Sequence, residues 1–317
     1  MKTNQVNKQL NTNLTETGKT QKRKASKKKT IGLYCGLGIP LIAIGIVGGV
    51  ILGKNVFYVD PYANVNMDAL NDDYSDVYKK YQKSSSSNYY EKFNNVELAN
   101  IALLNLNHVD NFYSITTGSV LAAGVKQEIN ATYIKHYEDY YEETITASRF
   151  VRGANRFYMY GNNTDWYKGK YVNSKTGDYS KAKVTSYTNE EFEESWGRQL
   201  SRACIYIINE NTCLSSSITT DSNGNHVIEL DLDPKTSVVR YIKQMVNTGG
   251  LSQKPVFHSV KLQFVVDEDV KLLTFHTDEV YDVHMVIDAK DSKGTITQNF
   301  TYGERAIPSI EESSIYE

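Results

Sequence analysis

The chain has 317 residues, of which 40% are hydrophobic and 23% charged, enough for one large domain or two small ones. Its net charge of −2 hides a segregation: residues 1–30 carry about +8, residues 31–53 carry no charge, and residues 54–317 carry about −10. An acidic main body excludes nucleic-acid binding there, because phosphate contacts need clustered Lys and Arg.

The first region, 1–30, is rich in Asn, Thr, Lys and Gln, and is expected to be a disordered cytoplasmic tail. Ile31–Gly53 (IGLYCGLGIPLIAIGIVGGVILG) follows without a charge. At 1.5 Å per residue it is roughly 34 Å long, enough for a hydrocarbon core, so it reads as a transmembrane helix. Lys22-Arg23-Lys24 and Lys27-Lys28-Lys29 precede it and acidic residues follow from Asp60. That asymmetry places the N-terminus in the cytoplasm and the rest outside, in a single pass of the plasma membrane. The stretch is longer than a cleaved signal's apolar region, and Val50–Gly53 has no Ala-x-Ala site. Cys35 opens the stretch rather than closing it, which argues against lipidation. The basic cluster also suits anionic headgroups. Gly45, Gly49 and Gly53 share a helix face and would allow a homodimer.

Residues 54–90 read as a juxtamembrane helix and linker. Leu70, Tyr74, Tyr78 and Tyr81 recur at helical spacing within Met67–Tyr81, and Ser84–Ser87 reads as a hinge. An extracytoplasmic domain is expected over 91–317. It opens with a helix at Val96–Leu106 (VELANIALLNL), followed by strands over Val120–His136, Tyr140–Phe150, Arg156–Tyr160 and Trp166–Tyr171. The 24 Tyr, against 5 Pro, add to the β character. Asn189 opens a second helix, with Glu190 and Glu191 in its first turn and Phe192, Trp196, Leu200, Ala203 and Ile207 on one face. His226–Leu232 alternates as a strand. Asp233-Pro234 starts a helix that runs to about Val246, before Gly249-Gly250.

The closing section alternates most clearly. Val260, Leu262, Phe264 and Val266 form one set; Leu273 and Phe275 follow the turn Asp267-Glu268-Asp269; Tyr281, Val283, Met285 and Ile287 follow a turn at Asp278-Glu279; and Ile296–Tyr302 ends the meander. With the element order, VKLQFVVDEDVKLLTF and YDVHMVIDAK resemble the LolA/LppX-like envelope lipoproteins over about residues 92–310. The resemblance implies an α+β fold: a curved antiparallel sheet, or half-barrel, covered by helices and enclosing an apolar cavity. The chain departs from many members in lacking a lipobox, the membrane helix standing in for the lipid anchor.

Catalytic motifs are missing. The six His (His108, His136, His226, His258, His276, His284) form no metal-ligand spacing, although His276 and His284 are expected on neighbouring strands. No Gly-x-Ser-x-Gly, phosphate loop or Gly-x-Gly-x-x-Gly occurs. Cys204 and Cys213 are either a disulfide or two buried thiols. The sequence therefore points to a non-enzymatic envelope protein, without metal or cofactor, whose domain binds an apolar or amphiphilic ligand such as a lipid. The candidate ligand contacts are Phe264, Phe275, Tyr281, Met285 and Trp196, the last also suited to a core. The alternative is an envelope sensor or scaffold that works through protein–protein contacts.

Overall fold

The computed structural model describes residues 58–66, 70–84, 89–149, 152–171, 179–249, 251, 253–284 and 288–308. Three helices come first: α1 (Ser75–Gln82), α2 (Tyr89–Lys92) and α3 (Asn95–His108). Six strands follow: β1 (Asn111–Ala122), β2 (Val125–His136), β3 (Asp139–Ser148), β4 (Arg152–Tyr160), β5 (Asn163–Tyr171) and β6 (Tyr179–Thr188). After α4 (Asn189–Trp196) come β7 (Cys213–Thr220) and β8 (His226–Leu232), then α5 (Val239–Gly249) and the strands β9 (Val256–Val266), β10 (Leu272–His284) and β11 (Asp288–Tyr302).

All eleven strands form one antiparallel sheet in the order β6-β5-β4-β3-β2-β1-β11-β10-β9-β8-β7. Two meanders run outward from a central pair in which the first strand meets the last, Thr116 opposite Gln298. The helices are short, α3 being 14 residues. The fold is thus β-rich, which corrects the expected α+β class with an N-terminal membrane helix. Among the described residues no helix is long and apolar enough to cross a membrane. The segment 31–53, with Gly45, Gly49 and Gly53, lies outside the described residues, as do Met285 and Ile287.

Local chemistry explains where strand boundaries differ from the alternation. Val120–His136 is a hairpin and not one strand, because Ala123 and Gly124 both take positive φ (47° and 73°) and reverse the chain in two residues. Asp278-Glu279 makes no turn; β10 continues through it, and Glu279 points into the core at 2% exposure. A bulge between Leu272 and Thr274 makes Leu272 and Phe275 the buried pair, in place of Leu273 and Phe275. His276 and His284 share β10, so they stand roughly 26 Å apart along it and not side by side. Strands β6 and β7 have no counterpart among the expected elements; they are the two sheet edges and are rich in Ser, Thr and Lys (YSKAKVTSYT, CLSSSITT).

The helix ends are equally specific. Asn94 and Glu97 form a capping box at the start of α3, and Thr188 and Glu191 form another at α4. The expected helix over 190–208 stops at Trp196 because Gly197 takes φ 77° and closes the turn onto the Glu193 carbonyl. A Cβ there would meet the Arg240 carbonyl oxygen at 2.6 Å, so α4 and α5 also need glycine at this crossing. The expected helix from Pro234 begins later, at Val239, after a turn held by the Asp233 carboxylate and the Thr236 amide at 3.2 Å.

One sheet face is covered. α3 packs on β7, β8 and β10; α4 packs on β5, β6 and α5. Residues 58–66 and 70–82 are tied to the domain: Tyr62 Oη donates to the Pro255 carbonyl at 2.8 Å, Tyr81 Oη to the Asp269 carbonyl at 2.7 Å, and Lys254 pairs with Asp60 at 2.6 Å.

Candidate functional site

Of the ligand contacts expected from sequence, Phe264, Phe275, Tyr281 and Trp196 fall in apolar clusters at the flanks of the covered face; Met285 lies outside the described residues. Phe264 is fully buried with its ring 4.9 Å from Phe275, and Tyr281 packs 5.0 Å from Phe257. At the other flank Trp196 lies among Phe157, Trp166 and Phe192, with centroids 4.8, 5.2 and 5.5 Å away. These rings pack against one another as core side chains do. Phe275 pairs in register with Gln298, so its cluster borders the centre of the sheet.

The centre is different in kind. Inward-facing positions of β11, β1, β2 and β3 carry Gln298, Ser114, Thr116, Ala131, Glu142, Thr144 and Thr146, all buried. Register sets Thr144, Ala131, Thr116 and Gln298 in one row across four strands, and Glu142, Tyr133 and Ser114 in the next. Small and polar side chains therefore fill the middle of a face that is aromatic and aliphatic at both ends.

A single segment crosses this strip. After Gly197 the chain runs without regular structure from Arg198 to Tyr206. Arg198 Nη2 donates to Glu142 Oε2 on β3 at 2.8 Å, with both side chains fully buried. Tyr133 Oη on β2 donates to the Leu200 carbonyl at 3.0 Å. Tyr206 Oη donates to Glu279 Oε1 on β10. Between β3 and β10 lie β2, β1 and β11, so the strap spans four strand spacings, about 19 Å of sheet. Within the strap, Leu200 and Ile205 are fully buried. On its outer side Arg202 and Arg240 both bind the Asp72 carboxylate, Arg240 at 2.5 and 2.8 Å. A groove of about 270 Å³ runs between α3 and the strap, lined by Asn100, Leu103, Leu104, Arg202 and Tyr206.

Burial governs the charges. It pushes Glu279 up to about 8 despite the opposing hydrogen bond from Tyr206, so burial favours the neutral carboxyl. It pushes Tyr133 and Tyr206 well above the ordinary range, and Cys204 up to about 12. At Asp72 burial opposes ionisation, but the Arg240 hydrogen bonds and the two guanidinium charges outweigh it and hold the carboxyl below its ordinary value. Cys204 and Cys213 are both free thiols.

Several polar atoms in this interior have no hydrogen-bond partner among the described residues. They are Nε and Nη1 of Arg198, Oγ1 of Thr116 and Thr144, Oε1 of Gln127 and Oε2 of Glu279. Arg198, Thr116 and Thr144 converge around Ala131, since Thr116 and Thr144 flank it in register and Arg198 is held at Glu142, two residues from Thr144. Sequence reading passed over all of them. The usable signal was parity: Tyr140, Glu142, Thr144 and Thr146 alternate in phase, which places a carboxylate on the covered face.

No family model matches the chain, and no curated protein matches it. A solved structure similar to it is the crystal structure of a DUF1329 family protein from Desulfovibrio piger ATCC 29098. The two are 12% identical, the match covers 70% of this chain and 95% of the other, and the TM-score is 0.27. A likeness that weak assigns neither family nor activity. Among the described residues no group of three or more His, Cys, Asp or Glu is placed to hold a metal ion.

Proposed function

We propose that this protein is a non-enzymatic binding module that holds an amphiphilic ligand inside its sheet, between the central strands and the strap Arg198–Tyr206. The observation that carries the reading is the set of buried polar atoms of Arg198, Thr116, Thr144 and Gln127 that have no partner among the described residues. Buried polar groups in folded proteins are nearly always hydrogen-bonded, and a cluster of exceptions marks a place where water or a ligand completes the bonding. The flanking clusters around Phe264 and Trp196 are close-packed and give the strip apolar surroundings on both sides. The resemblance in element order to LolA/LppX-like envelope proteins points the same way. The charge segregation of the sequence supports a place at a membrane surface, with the β-rich domain on its extracytoplasmic side. Native mass spectrometry of the full chain, purified in mild detergent, tests the reading. A reproducible bound mass is the expected result; a chain free of any adduct that is also not stabilised by a total lipid extract contradicts it.

One observation favours a second role, as an interaction module. β7 is an edge strand without a charge or a proline, and it exposes Leu214 (65%) and Ile218 (37%). Unprotected edges of this kind accept an added strand. Leu214→Lys and Ile218→Lys would abolish a partner contact made there and leave the bound mass unchanged.

A further inference from the structure

We propose that the ligand's head is uncharged and rich in hydrogen-bond acceptors, an ester- or amide-bearing amphiphile, and that it sits among Arg198, Thr116 and Thr144 over Ala131. The inference rests on the internal-binding reading and narrows it to a ligand class.

Three features carry it. The first is the direction of the free hydrogen bonds. Nε and Nη1 of Arg198 are donors only, and the side chain has no exposed surface, so whatever completes them must offer acceptor oxygens. The hydroxyls of Thr116 and Thr144, each 2% exposed, donate or accept as needed. The second is charge balance. The Arg198 charge is already matched by Glu142 at 2.8 Å, inside the same buried environment. A carboxylate or phosphate head would compete with Glu142 for one guanidinium and leave a net negative charge away from water, the costly case for buried ions. A carbonyl oxygen takes the same N–H groups and leaves the charges matched. Other charged groups nearby do not change this. Lys135, at 5% exposure, donates to the Asn107 carbonyl at 2.8 Å and feels the carboxylates of Glu138 and Asp110. Burial favours the neutral form of Glu279. The third is position. Ala131 lies in register between Thr116 and Thr144, so the side chain that separates the two hydroxyls is a methyl group.

The test incubates the full-length protein with detergent micelles carrying dioleoylglycerol, oleate or dioleoylphosphatidylglycerol, and quantifies the lipid retained after gel filtration. Dioleoylglycerol should be retained at least tenfold better than either anion. Thr116→Val with Thr144→Val, which leaves the ion pair intact, should lower that retention about tenfold, and so should Glu142→Met with Arg198→Met, checked for folding by circular dichroism. Equal or better retention of oleate or phosphatidylglycerol overturns the uncharged head while internal binding stands. Retention unaffected by either double variant overturns the seat at Arg198. If none of the three lipids is retained, the ligand class is wrong; internal binding itself fails only if native mass spectrometry also finds no co-purifying mass.

Discussion

Arg198 and Glu142, 56 positions apart in sequence, meet at 2.8 Å with neither side chain exposed. This pair fixes one end of the strap to β3. Removing one partner of such a pair leaves the other charged and buried, which typically costs about 3–5 kcal/mol, whereas replacing both with apolar side chains is often neutral. Arg198→Met alone should therefore lower the unfolding free energy by about 3–5 kcal/mol in urea titration, and Glu142→Met with Arg198→Met should recover most of it. Equal losses in the single and double variants would mean that the charges are not coupled.

The other end of the strap predicts a pH dependence. Glu279 has a folded-state pKa of about 8, above the ordinary 4.5, so the folded protein holds a proton that the unfolded chain gives up. Its contribution to stability is full below pH 4.5 and is lost as pH rises towards 8. Glu279→Gln keeps a neutral side chain at every pH. Relative to the native protein, the variant should gain stability steadily between pH 5 and 8; parallel stability curves would contradict this.

Asp72 has the opposite sign. Its carboxyl is held below the ordinary value by Arg240 and Arg202 against the effect of burial, so its contribution is present at neutral pH and lost as pH falls through the folded-state pKa. Arg202 is more than a third exposed and Arg240 about a quarter, so solvent screens part of the gain. Asp72→Ala should cost about 1–2 kcal/mol at pH 7 and less at pH 3. It should also speed proteolysis of residues 198–206, as limited digestion with trypsin would register.

The flanking clusters should behave as close-packed cores. Phe157→Ala and Phe264→Ala, both at fully buried rings, should each cost about 3–5 kcal/mol in chemical denaturation. A cost well under 2 kcal/mol at Phe264 would instead make it the wall of an open cavity.

Much of the sheet was legible from alternation, because each long strand buries one face: Val260, Leu262, Phe264 and Val266 all point inward as their parity requires. Turn chemistry was harder. Asp278-Glu279 has the composition of a turn yet lies in mid-strand, since Glu279 finds Tyr206 from another part of the chain. Helix length failed at Gly197 for a similar reason: the apolar residues Leu200, Ala203 and Ile207 keep helical spacing but are buried as an irregular strap. The candidate site was the least legible part. Arg198, Glu142, Thr116 and Thr144 come from four separate segments, and only the register of β1, β2 and β3 brings them together.

The most direct measurement is the stability and bound mass of the Thr116→Val, Thr144→Val double variant beside the native protein. The two hydroxyls are buried without partners among the described residues, and in a dry, filled core replacing them with methyl groups removes desolvation penalties of about 1–3 kcal/mol each. A ligand-holding interior predicts that the variant loses the bound mass in native mass spectrometry and gains no stability in urea. A variant stabilised by about 2 kcal/mol or more, from a native protein that carries no bound mass, would show a filled core and contradict internal binding.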